Sequence, residues 1–138
     1  MRTVIAFLVV TVVAASCGDD GSGAAVLQEG RTTYGNTCSA CHGSAGEGGV
    51  GPALDTVLET WPSCADHIRW ITLGSERWKS EVAATYGATD KPIQGGMPEI
   101  GLTLTAQEIA AVAAWERITY GRADEAATLT ECGLATGS

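Results

Sequence analysis

The 138-residue chain is poor in basic residues, in aromatics and in methionine. It carries 8 lysines and arginines against 16 aspartates and glutamates, a formal net charge of −8. Nucleic-acid binding needs a basic stripe, so that class of partner is excluded. Aromatics make up 6% and hydrophobic residues 45% of the chain, so the core is modest and rich in alanine. No apolar run is long enough for a permanent membrane helix. The longest, Val4–Ala15, reaches about 18 Å as a helix, short of the roughly 30 Å hydrocarbon core. Methionine occurs only at positions 1 and 97. The five cysteines are too few for a disulfide scaffold and odd in number for an exported chain. Each needs its own explanation.

Residues 1–16 follow the pattern of a secretory signal peptide: Arg2, the apolar run, then Ala14-Ala15-Ser16 before Cys17. This end resembles a bacterial lipobox, in which the cysteine after the cleavage point is lipidated. Ala14 stands where that pattern usually has Leu. Lipid attachment at Cys17 is the expectation, and ordinary cleavage with a free Cys17 is the alternative. Residues 17–23 are small and polar and read as a flexible tether. Residues 24–121 form one domain, and residues 122–138 a carboxy-terminal tail. The implied location is the periplasm or the outer face of the cell membrane.

Cys38-Ser39-Ala40-Cys41-His42 is the C-x-x-C-H attachment signature of c-type haem. Two cysteines three apart can each form a thioether to one haem vinyl group, and the adjacent His42 then falls beneath the iron. A dithiol redox site does not need the histidine. A zinc ribbon would need a second cysteine pair at matching spacing, which is absent. Downstream, Gln94-Gly95-Gly96-Met97-Pro98 offers a second axial ligand. A thioether is a soft ligand that raises the reduction potential, while the glycines allow close backbone approach and Pro98 stiffens the loop. The metal ligands expected are therefore His42 and Met97.

With these motifs the chain resembles a class I, single-haem cytochrome c over roughly residues 24–121. Gly30 and Tyr34, spaced before Cys38, match the first helix of that family, and Gly51-Pro52-Ala53-Leu54 matches the segment after the haem motif. The resemblance implies an all-α fold of small helices wrapped around one covalent haem c. It implies that the Pro52 carbonyl accepts the Nδ1–H of His42 and that Leu54 walls the haem. It also implies that Val112 and Trp115 of the last helix pack on Gly30 and Tyr34.

The periodicity predicts a first helix from about Ala24 to Ala40, with Val26, Leu27, Gly30 and Tyr34 on one face. The last helix opens with the capping box Thr105-Ala-Gln-Glu108, presents Ile109, Val112, Ala113, Trp115 and Tyr120, and stops at Gly121. Glu116 is the one misfit in that stripe. A short middle helix is predicted from Ser63, with Ile68 and Ile71 facing inward and Gly74 ending it, and a further turn around Glu76 to Tyr86. Trp61, Trp70 and Trp78 are candidates for packing at the haem edge, and Arg69 or Arg77 for a haem propionate. His67 is an alternative sixth ligand, but among charged neighbours on a short helix it is expected to face solvent. Cys64 and Cys132 are expected to pair, on the ground of compartment; two free thiols are the alternative.

These features predict a one-electron carrier rather than an enzyme, with no catalytic residue assigned. Alternatives are a haem-bearing subunit of a larger membrane oxidoreductase, or a haem enzyme or sensor with a labile Met97. Partners are redox proteins, with basic docking patches if docking is electrostatic, and a membrane reached through the lipid anchor.

Overall fold

The structure is a computed structural model and describes residues 21–135. The signal peptide, Cys17 and the first part of the tether lie outside the described residues. Among the described residues, six α-helices build an all-α fold: α1 (Gly21–Thr33), α2 (Ser39–His42), α3 (Val57–Thr60), α4 (Cys64–Glu81), α5 (Ala106–Thr119) and α6 (Glu125–Glu131). There is no strand among the described residues, only an isolated bridge between Thr85 and Pro92.

The first helix begins at Gly21, inside the segment expected to be a tether, and its path continues past Thr33. A π-helical turn, Tyr34–Cys38, links α1 to α2. Such wide turns interrupt helices at functional positions, and here the turn carries Cys38. Helix α2 ends at Gly43, whose φ of 83° suits a residue without a side chain.

Helices α1 and α5 cross at Gly30. A Cβ there would lie 2.3 Å from the Ala111 carbonyl oxygen and 2.7 Å from the Trp115 Cβ, so only glycine admits this approach. The nearest neighbours on α5 are Ala111 and Trp115, the latter as expected, and Val112 is fully buried in the same core as Tyr34. Tyr34 meets Trp115 and Tyr120 at ring-centroid distances of 4.9 and 5.4 Å. The capping box is present: the Glu108 amide donates to Thr105 Oγ1, and the Glu108 carboxylate accepts from the Thr105 amide. At the other end of α5 the residue with positive φ is Arg122, at 60°, rather than Gly121. Gly121 serves close packing instead, since a Cβ there would press on the Arg117 carbonyl and on Leu58 and Val57 of α3.

Ser63 caps α4, accepting from the Asp66 amide. Gly74 ends the first stretch of this helix, as expected: with φ 65° and ψ 179° it leaves the helical path, and a second helical stretch runs on to Glu81. That conformation is accessible almost only to glycine. The carboxy-terminal tail contains α6, which a disulfide between Cys64 and Cys132 fastens to the start of α4, with a Cα–Cα distance of 5.3 Å. Arg117 of α5 reinforces this corner. Its guanidinium donates to the carbonyls of Trp61 and Pro62 and to Glu131, whose other carboxylate oxygen accepts from the Cys64 amide.

Candidate functional site

The helices enclose a cavity of about 600 Å³, within the range that holds an organic cofactor. Cys38, Cys41 and His42 form one wall, delivered by the π-helical turn and α2. Met97, Gly95 and Gly96 form another. Leu54, Ile71 and Ile100 supply buried apolar lining, and Trp61 and Trp70 supply indole faces.

His42 is held from behind. Its Nδ1 lies 2.9 Å from the Pro52 carbonyl oxygen, a distance at which Nδ1–H donates and Nε2 keeps an unshared pair able to bind a metal. Gly51 permits this placement, because a Cβ there would lie 2.8 Å from His42 Cε1. The loop between them is closed by backbone bonds from the Gly48 amide to the His42 carbonyl and from the Gly51 amide to the Cys41 carbonyl. Burial first, then the Glu116 carboxylate and Cys41, push the Cys38 thiol up to about 12. Cys41 is exposed, on the open side of the cavity.

Met97 is positioned by α4. The Ser75 amide donates to the Met97 carbonyl at 3.0 Å, and the buried Ser75 hydroxyl donates to the same oxygen at 3.3 Å. The kink at Gly74 makes the approach possible, since a Cβ would lie 2.5 Å from the Pro98 carbonyl oxygen and 2.7 Å from that of Met97. Side chains at Gly95 or Gly96 would meet no protein atom, so their absence keeps that wall of the cavity clear.

The remaining candidates divide. Trp61 and Trp70 line the cavity in a cluster with Tyr86, at centroid distances of 5.1 to 5.2 Å. Trp78 packs behind them and donates its indole N–H to the Thr85 carbonyl. Arg77 is turned away to Glu81 and Glu99, which hold its guanidinium above its ordinary range, and Arg69 lies over the Trp78 ring. Neither arginine lines the cavity. His67 corrects the expectation of a solvent-facing histidine: it is 2% exposed and lines the cavity, with its Nε2 3.2 Å from Glu116 Oε2. Glu116, the misfit in the apolar stripe of α5, is likewise buried.

Two thiols and an imidazole on one wall, a methionine on the other and apolar faces between them fit a covalently bound haem. A family model described as cytochrome C oxidase, cbb3-type, subunit III matches residues 25–115, well over half of the chain. The chain belongs to this family. It is a cytochrome c domain whose cofactor is covalently bound haem c, and the matched span runs from α1 through most of α5. No curated protein matches the chain. Among the described residues, no helix of this cytochrome c domain is long and apolar enough to cross a membrane.

Proposed function

We propose that this cytochrome c domain is a one-electron carrier with Cys38 and Cys41 as the thioether anchors and His42 and Met97 as the axial ligands. The observation that carries the reading is the cavity with the C-x-x-C-H segment on one wall and Met97 on another. When bound, the haem supplies a one-electron couple between ferric and ferrous iron. The protein's part is to fix the ligands and exclude water. Pro52 orients His42 and strengthens it as a donor, and Ser75 and Gly74 hold the Met97 segment against α4. With both axial positions filled, no position is left for substrate, which separates a carrier from a haem enzyme. The apolar lining and a thioether ligand both favour the ferrous form and a positive potential.

A potentiometric titration of the native holoprotein tests the reading. The expected result is one reversible couple that fits a single electron, with no ligand-binding step when carbon monoxide is added to the reduced protein. Rapid carbon monoxide binding would favour the sensor or enzyme reading instead.

Lipid attachment at Cys17 and a location on the outer face of the cell membrane belong to the same proposal, supported by the signal pattern of residues 1–16. Intact mass of the native protein reads haem and lipid together; haem without added acyl mass would remove the anchor. The acidic balance favours redox partners with basic docking patches, whose association rate falls with added salt. The family description equally raises the role of a haem-bearing subunit in a membrane oxidase. Recovery of the protein only within a stoichiometric membrane complex would favour that role over a free carrier.

A further inference from the structure

Two buried acid–base groups line the haem cavity besides the proposed anchors and ligands. His67 on α4 and Glu116 on α5 are 2% and 4% exposed, and they face each other across 3.2 Å. Both line the same cavity as Cys38, Cys41, His42 and Met97. Burial of such a pair is costly, and replacing it with apolar residues would often be neutral or stabilising. Its retention in an apolar pocket therefore points to a task.

The geometry of the pair defines that task. With Nε2–H directed at the Glu116 carboxylate, His67 Nδ1 presents an unshared electron pair, and that atom is buried with no protein partner. In this form the pair carries one buried negative charge. The cation among the residues that line this cavity is Lys91, which is exposed. Arg117, next along α5, spends its guanidinium on the Trp61 and Pro62 carbonyls and on Glu131 of α6. Asp66 and Arg69 beside His67 on α4 are exposed. Around the pair, burial first and the Glu116 charge as a lesser cause raise Cys38, Tyr34, Tyr86 and Tyr120 above their ordinary values.

We propose that the His67–Glu116 pair is a proton-exchanging site coupled to the haem. The pair binds one proton from solvent, at His67 Nδ1, when the iron gains an electron, and releases it on oxidation. The electron comes from the donor protein or an electrode and the proton from water, so charge and atoms balance. The inference rests on the carrier reading above. The ferric haem core bears one positive charge that the ferrous core lacks. His67 is therefore harder to protonate opposite ferric haem, and the ferrous state leaves the Glu116 charge uncompensated. Across the spacing within one cavity, at an effective dielectric of about 20, a unit charge changes such an equilibrium roughly tenfold.

The test is the midpoint potential of the native holoprotein as a function of pH, for wild type, His67→Gln and Glu116→Gln. Wild type is expected to show a bounded window in which the potential falls as pH rises, with a plateau on each side. A tenfold change in the protonation equilibrium separates the two plateaus by about 59 mV, so the slope between them stays below about 59 mV per pH unit. Both substitutions are expected to flatten the window. A flat wild-type potential overturns the proposal, as does a slope that survives in both variants, which would belong to the haem propionates. Should either variant fail to take up haem, nitrogen NMR of wild type carrying 15N-histidine follows His67 Nδ1 directly. Protonation of that atom across the window in the ferrous protein supports the proposal, and its absence overturns it. A one-electron couple that ignores pH defeats this inference and leaves the carrier standing; loss of the couple itself defeats the carrier.

Discussion

Gly74 is the residue on which the methionine side of the site depends. It adopts a backbone conformation accessible almost only to glycine, and any Cβ there would strike the Met97–Pro98 backbone. Gly74→Ala is therefore expected to destabilise the holoprotein by about 1–3 kcal/mol. It should also lower the midpoint potential by displacing Met97. Denaturant unfolding and a redox titration measure the two effects, and loss of stability at unchanged potential would show that the kink does not position Met97. In the sequence Gly74 reads as the end of a helix, because glycine is the ordinary helix stop. That the chain bends and resumes there depends on a segment more than twenty positions away. His67 teaches the opposite lesson. Cys64, His67, Ile71 and Trp78 recur at helical spacing on the inner face of α4, and all four are buried. The periodicity was present, but the charged neighbours Asp66 and Arg69 outweighed it.

At the scale of elements, α5 is the piece most completely written in the sequence, because its cap, stripe and length are all local. The capping contacts hold the Glu108 carboxyl below its ordinary range, the Thr105 amide and hydroxyl being the causes. A lowered carboxylate contributes stability above the unfolded value and loses it as pH falls through the folded one. Glu108→Gln is thus expected to cost stability at neutral pH, with the deficit closing in acid. Unfolding midpoints of the two proteins over pH check this, and a deficit that persists unchanged in acid would refute it. Thr105→Ala removes the other half of the box and should cost about 1 kcal/mol, read by the same unfolding measurement. The corner at α6 was much less legible, since the buried Arg117 reaches partners 55 and 56 positions away. Nothing in the local pattern of α5 signals that contact.

For the whole molecule, a small core is supplemented by a cross-link. The Cys64–Cys132 disulfide closes a separation of 68 residues, worth about 4 kcal/mol in the chain-entropy account. A Cys64→Ser/Cys132→Ser holoprotein should be less stable by that order in denaturant titration. Two free thiols in the native protein, or equal stability of the variant, would contradict the pairing. The five cysteines that made the composition odd divide into three uses: two at the haem, two in this cross-link and one at the proposed lipid site. The all-α fold and the haem wall of the site were legible because C-x-x-C-H and its flanking glycines are local signals. The inner lining was not, because residues such as Ser75, Tyr86 and Glu116 meet in the cavity only through packing between elements.

The central claim is that a protein-held pair of axial ligands, His42 and Met97, makes this domain an electron carrier. Replacing Met97 with alanine and recording the visible spectrum and midpoint potential of the holoprotein tests it most directly. Loss of the six-coordinate low-spin spectrum and a lower potential are expected, because a potential-raising ligand is gone. A variant with the wild-type spectrum and potential would contradict the claim.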